Sequence, residues 1–457
     1  MTRCLPETIY CDMDRLLFKQ VDNIGLVLFR AVFGLLIAIE GFGAIATGWV
    51  QRTLVDPEFT FNFIGFDFLQ VFQGQPMYAY FALMGIFGLM VMLGWKYRFA
   101  MVGYAILWTG AYLMQKSSYN NHYYLMVLLC WVMALLPANR SFSLDAKFNP
   151  SFRSISMPRW CLWILILQVW IVYTYASAAK FYPDWLDATA PKLFMQAKSR
   201  YWLIGDFLQQ EWVHYTIAYV GILYDGLIVP ALLWKRTRFI AFIVSLFFHL
   251  FNSVVFQIGI FPYMSIAFSL FFFSPAILRK RFLPKREAYI EDKVIVPRLK
   301  SLGITVFTIY FLVQIGLPLR HWFFQDDVLW TEEGHRCSWR MMLRSKSGQL
   351  AFWVTDKETG RKEHFKHRDV LSPKQQRSIR AQPDMIWQMA QYIKKVYAER
   401  GIDAAVHVNA QVKVNGGPYF PFIDHEVDLA NVPWYHFKHN DWILPSPEDY
   451  HKWPEGD

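Results

Sequence analysis

Charge and cysteine are both scarce in this chain of 457 residues. Charged residues make up 18% of it, against about 25% in an average soluble domain. Five cysteines in that length exclude a disulfide-stapled scaffold. No G-x-x-x-x-G-K-[ST] is present, no G-x-G-x-x-G after a strand, no G-x-S-x-G and no C-x-x-C. Those absences remove the phosphate-cradling loop, the dinucleotide fingerprint, the serine nucleophile elbow and the dithiol redox pair. Abundance lies elsewhere. Apolar residues reach 54% and aromatics 18%, with 40 Phe, 24 Tyr and 19 Trp. Such a chain buries a core easily, which excludes disorder, and the balance points to lipid.

A bilayer core needs about 20 mostly apolar residues per helix. Nine segments satisfy that, at roughly 24–46, 77–95, 99–115, 121–137, 160–180, 212–234, 239–257, 259–277 and 301–318. The seventh and eighth are separated only by a tight turn at Gln257-Ile258-Gly259. The first apolar run is too long for a signal h-region and reads as an anchor. With the N-terminus placed in the cytoplasm, the inner segments carry 20 Lys and Arg and the outer loops 5, namely Arg52, Lys116, Lys192, Lys198 and Arg200. The positive-inside rule favours that orientation. Nine spans then put the C-terminus outside. The basic stretch 279–300 falls on the inner side, where anionic lipid head groups explain it better than nucleic acid does. Cys4 and Cys11 fall on the same reducing side, and Cys130 and Cys161 read as small core hydrophobes.

The expected architecture is thus an α-helical multi-pass membrane domain of about nine transmembrane helices over 1–319. A mainly β extracytoplasmic domain follows over 320–457. In the second part, 349–355 alternates like a strand, and 410–414 runs into Asn415-Gly416, a type I′ hairpin signal. A helix opens at Pro383-Asp384 and closes at Gly401, with Ile386, Met389, Ile393, Val396 and Tyr397 on one face. Cys337 is the lone cysteine there and cannot close an internal disulfide.

Ionisable residues at membrane depth are costly and are functional candidates by default. Asn121, His122, Lys180 and His321, with His249 somewhat deeper, all fall in the outer half of the expected topology. Each also has a plain reading. Lys180 can snorkel beside Tyr182 and Trp185, and the histidines can be interhelical hydrogen bonders. Asp225 reads as the partner of a cation or a cap at a helix kink, and Arg30 and Glu40 as structural. The repeated tetrapeptides His364-Phe-Lys-His367 and His436-Phe-Lys-His439 read as exposed strand residues; no metal site is expected.

Several separated blocks share one resemblance. They are Asn120-Asn-His122-Tyr-Tyr-Leu, Ala138-Asn-Arg140-Ser-Phe-Ser-Leu-Asp145, Ala178-Ala-Lys180-Phe-Tyr-Pro-Asp184-Trp185, Phe248-His249-Leu-Phe-Asn252-Ser, Ile258-Gly-Ile-Phe261-Pro-Tyr263 and the stretch from Trp330 to Met342. In that order they resemble the vitamin K-dependent gamma-carboxylase family with its horizontally transferred transmembrane (HTTM) domain. The resemblance implies conversion of peptidyl glutamate to gamma-carboxyglutamate, with vitamin K hydroquinone or menaquinol, O₂ and CO₂ as co-substrates and no metal. A glutamate γ-methylene proton is beyond any side-chain base near neutral pH. In this family a stronger base is made from the oxygenated quinol, and oxidation to the 2,3-epoxide drives the step.

By its match to the family's lysine block, Lys180 would deprotonate the quinol, with His122 as the second catalytic residue. Asn121 and His122 would hydrogen-bond the quinol oxygens. His249, Tyr263 and His321 would line the cofactor pocket, and His335, Arg336, Trp339, Met341 and Met342 would meet the glutamate-containing peptide. The chain is shorter than the animal enzymes, which favours a bacterial inner membrane, and it has His335-Arg336-Cys337 where more aromatic character is expected. Two alternatives stand beside carboxylation: a quinol epoxidase that leaves glutamate untouched, and a non-enzymatic quinone-binding membrane protein.

Overall fold

A computed structural model describes residues 5–448 and 450, with side chains from residue 12 onward. Arg3 and Cys4, and the side chain of Cys11, lie outside the described residues. Among the described residues six helices are long and apolar enough to cross a membrane: Ile24–Ala46, Pro76–Leu93, Trp160–Ala178, Glu211–Leu233, Arg238–Phe256 and Lys300–Phe323. The count becomes seven if the bent pair Phe261–Phe271 and Pro275–Phe282, which meet at 119°, is one span. The nine apolar segments of the sequence are all helical, but three fall short as spans. Tyr97–Met114 has the length yet is diluted by Arg98, Thr109 and three tyrosines. Asn121–Leu135 has 15 residues, about 22 Å at 1.5 Å per residue, below the ~30 Å of a bilayer core. The eighth segment breaks where Pro275 opens a new helix, because proline cannot donate into a continuing one. The chain is an integral membrane protein.

The first two long helices make the closest contact in the bundle. A Cβ at Gly34 would sit 2.2 Å from Met92 N, and one at Gly88 would sit 2.5 Å from Ala38 N. Two backbones approach this closely only through small residues. The block Ala138–Asp145 belongs to one end of this bundle. Asp145 accepts from the backbone N–H of Lys96 and Tyr97 and from Asn139 Nδ2, so it caps the helix that Tyr97 begins. Arg30, fully buried, donates to Phe142 O at 2.6 Å. Cys130 and Cys161 are buried free thiols.

The opposite end of that helix leads through Lys116–Ser118 to Asn121, and the C-terminal domain sits there. Its sheet has four antiparallel strands in the order Lys362–Phe365, Lys346–Asp356, Ala404–Val414, Phe420–Pro421. The helix Pro383–Ala398 packs on it, burying Ile386, Met389 and Ile393. Helical residues are about as many as strand residues, so "mainly β" overstates the sheet. The expected 415–416 hairpin also differs. Asn415 and Gly416 both have positive φ, +47° and +82°, as a type I′ turn requires. The partner strand nevertheless begins only at Phe420, and the Asn415 side chain bridges, its Oδ1 accepting from Ser345 N beside the strand Lys346–Asp356 and its Nδ2 donating to Asp184.

The two parts share their cores. Trp339, from the C-terminal domain, is fully buried in the main cluster of the bundle, and Phe61, from the loop before Pro76, is buried in the C-terminal core. The 319/320 division thus marks a change of architecture across a packed interface.

Candidate active site

Lys180 lies just beyond the last turn of Trp160–Ala178 and is buried. Its Nζ donates to Asp225 Oδ2 at 2.5 Å and to Ala176 O at 3.0 Å. Asp225, in Glu211–Leu233, is also buried. Gly221, one turn earlier, lets the lysine stem and the Trp185 ring lie against that helix, 3.8 and 3.6 Å from where a Cβ would be. Trp185 is fixed by its own bond to Ala218 O. The cation partner expected for Asp225 is therefore Lys180. No sequence spacing joins residues 180 and 225; only the antiparallel packing of two helices does.

His249 lies one layer away. Its Nε2 is 3.0 Å from both Tyr173 Oη and Tyr224 Oη, and Tyr224 Oη is 2.9 Å from Ser245 Oγ. Its Nδ1 is buried with no hydrogen-bond partner among the described residues. The Phe261 ring stands between His249 and His122, 6.1 Å from the first and 5.7 Å from the second. His122 packs its ring against Tyr123 and Phe261 and makes no hydrogen bond among the described residues. Asn120, ahead of it, accepts from Tyr123 N and caps the helix, which leaves Asn121 and His122 on its first turn.

Asn121 is engaged differently. It accepts from Tyr119 Oη at 2.8 Å and donates to Arg340 O at 2.9 Å. Tyr119 Oη in turn receives Cys337 N at 2.6 Å. Asn121 thus ties the bundle to the loop 332–342. That loop is strained, with positive φ at Glu332, Gly334, Cys337, Trp339 and Met342. Non-glycine residues persist in that region only when their surroundings over-determine them. The Trp339 ring lies 4.9 Å from Tyr124, and Met341 packs on the bundle core. Met342 is exposed. His321 Nδ1 is 2.8 Å from Pro318 O, and its Nε2 accepts from Arg340 at 2.7 Å.

Two buried ion clusters brace the same loop. Asp384 Oδ2 receives Lys116 at 2.6 Å and Arg336 at 2.5 Å. Burial opposes its charge, yet the two cations hold its carboxyl down at about 2. Lys116 shares that one anion with Arg336, so burial prevails and its ammonium is pushed down to about 8. Glu332 meets Arg344 and Lys346; burial again opposes its charge, and the pair hold it at about 2. His335, buried and facing Arg344, is pushed well below the usual histidine range.

Tyr263 and Arg336 have partners of their own. Tyr263 is 47% exposed and bonds Ser253. Arg336 spends its guanidinium on Asp384 and Gln382. The histidine tetrapeptides fit the exposed-strand reading only in part, since His364 is exposed in the strand Lys362–Phe365 and His436 is exposed outside any strand. His367 is buried against Phe352, and His439 bonds Glu333 at 2.6 Å. Among the described residues no group of three or more His, Cys, Asp or Glu side chains is arranged to hold a metal.

Residues 18–276 match the HTTM domain, and residues 299–449 match the lumenal domain of vitamin K-dependent gamma-carboxylase. The chain belongs to the vitamin K-dependent gamma-carboxylase family. No solved structure matches it. Family membership implies a requirement for vitamin K hydroquinone and a glutamate-containing protein substrate. The two matched regions touch at two of the sequence blocks: Asn415 of the second donates to Asp184 of the lysine block at 2.6 Å, and Asn121 of the first donates to Arg340 O of the second at 2.9 Å.

Proposed function

We propose that this protein is a gamma-glutamyl carboxylase of the membrane, coupling oxidation of a vitamin K hydroquinone or menaquinol to carboxylation of peptidyl glutamate. The observation that carries the reading is the buried Lys180–Asp225 pair, one layer from a histidine whose Nδ1 lacks a partner. Vitamin K hydroquinone, when bound, supplies the reducing equivalents and the oxygenated strong base that no side chain provides. The residues manage protons and water around it. For Lys180 to accept a proton from the quinol, one must first leave Nζ, and Asp225 Oδ2 is the carboxylate within reach. His249 Nδ1 and the ring of His122 supply hydrogen-bonding edges for quinol oxygens. Phe261, Tyr173, Tyr224 and Trp339 keep the space dry, which matters because water would quench a strong base. Asn121 positions the loop 332–342, from which His335 and Met342 would meet the peptide while Trp339 and Met341 anchor the loop in the bundle core.

The orientation consistent with the charge count has the N-terminus in the cytoplasm and residues 320–457 outside, with a bacterial inner membrane as the setting. The test is turnover in nanodiscs with a chemically reduced quinol, O₂, labelled bicarbonate and a Glu-containing peptide. Epoxide and labelled peptide together are expected. Epoxide alone would reduce the reading to a quinol epoxidase, and neither product, with quinol bound, would leave a quinone-binding protein.

A further inference from the structure

A cavity of about 260 Å³ opens beside the loop 332–342. Its lining includes none of Lys180, Asn121, His122 or His249. Sites for drug-sized ligands run to about 300–1,000 Å³, so this one suits a side chain or two and is too small for a quinone with its tail. Three cations stand in the wall, Lys116, Arg320 and Arg336, with three carboxylates, Glu332, Glu333 and Asp384.

The charges are unequally spent. Asp384 is shared by Lys116 and Arg336. Glu332 is held by Arg344 and Lys346 from behind the wall. Glu333 accepts from His439 Nδ1, Asn440 N and Asn440 Nδ2. Arg320 is different. It donates only to backbone oxygens, those of Leu317 and Arg336, and no carboxylate pairs with it among the described residues. Counting Arg344 and Lys346, five cations stand around three carboxylates, and the one of the five that touches no carboxylate among the described residues, Arg320, lines the cavity. A guanidinium with donors to spare in a partly desolvated wall is a carboxylate receptor. The rim is aromatic. Tyr435 and Phe437 line the cavity while remaining exposed, Phe437 by 81%, and the Glu333 contacts to His439 and Asn440 hold that strap in place.

We infer that this cavity binds a second acidic side chain of the peptide substrate, one that does not react, with Arg320 as its carboxylate anchor and Tyr435 and Phe437 clasping the peptide at the rim. The inference deepens the carboxylase reading: a peptide held at two acidic residues presents the reacting one towards Lys180 in a fixed register.

The test is binding, measured separately from turnover. Full-length protein in nanodiscs is titrated with a fluorescent peptide carrying two glutamates, and with analogues in which either or both are glutamine. Wild type is expected to bind the doubly acidic peptide about tenfold more tightly than the analogue lacking the distal carboxylate. Arg320→Gln is expected to abolish that difference. Equal affinity of wild type for the two peptides would overturn the inference, and this arm needs no variant to fold. A preference that survives in Arg320→Gln would overturn it too, by assigning it to the general basicity of the chain. If the preference depends on Arg320 but labelled bicarbonate never enters the peptide, the cavity stands and the carboxylase reading falls. Turnover without the preference means the reverse.

Discussion

Asp384→Asn is the substitution whose cost follows most directly from the geometry. The carboxylate is buried and shared by Lys116, whose side chain is 1% exposed, and by Arg336. Asparagine keeps the shape and removes the charge, so two buried cations lose their counter-ion. Breaking a buried pair from one side costs about 3–5 kcal/mol. At roughly 2–4 °C per kcal/mol for a domain of this size, the transition of the C-terminal domain should fall by on the order of 10 °C. Part of the penalty can be relieved, because Lys116 is already pushed down to about 8 by burial and deprotonates more readily once its anion is gone. The loss should therefore be larger at pH 6 than at pH 9. Lys116→Met in the same chain should restore about half of it, leaving Arg336 with Gln382. The assay is thermal unfolding in nanodiscs followed by tryptophan fluorescence across that pH range. A shift below about 2 °C at pH 6, or a loss that grows with pH, would refute the reasoning.

Further outcomes follow from the same structure. Asp225→Asn should lower quinol turnover at least 100-fold, on the scale of a lost proton-transfer partner, while the peptide KM moves less than threefold; an unchanged rate would remove Asp225 from the chemistry. Gly334→Ala should destabilise by about 1–3 kcal/mol, since φ is +74° and the new Cβ would sit 2.8 Å from His321 Cα. It should also raise the quinol KM, and a neutral result by unfolding would contradict the close approach. Acid should unfold the C-terminal domain through Asp384 and Glu332. Both are held at about 2 in the folded state, below their usual 3.8 and 4.5. The unfolded chain therefore binds more protons in that window, and the stabilisation, about 2–3 kcal/mol each, is present above pH 4.5 and lost as pH falls towards 2. Calorimetry from pH 5 to pH 2.5 reads it, and a flat profile would contradict the ion clusters.

Much of the fold was legible in the sequence, for identifiable reasons. All nine apolar segments are helical, because long apolar runs have few other structures open to them. The helix at Pro383 ends where its proline and glycine signals put its limits, with Gly401 at φ +76°. What local pattern does not carry is who meets whom. Asn415-Gly416 has the backbone of a hairpin turn, yet its side chain serves Asp184 in another domain. The proline at 275 breaks a segment that hydropathy alone reads as continuous. In the candidate site, separated blocks drew attention to Lys180, His122 and His249. Asp225 was visible as a membrane carboxylate without a known partner. Lys116 and Asp384 gave no signal, since a loop lysine and a helix-opening aspartate are ordinary surface residues until the fold buries them together. Arg320, one residue from His321, was legible only as part of a helix end.

The central claim is that Lys180 takes the quinol proton that starts a coupled carboxylation. The most direct measurement sets wild type beside Lys180→Ala in nanodiscs with reduced quinol, O₂, ¹⁴C-bicarbonate and a Glu-containing peptide, following epoxide and label together. The account predicts both products from wild type, in linked amounts, and neither from Lys180→Ala that still folds and binds quinol. Epoxide and labelled peptide persisting in Lys180→Ala at the wild-type rate would contradict it.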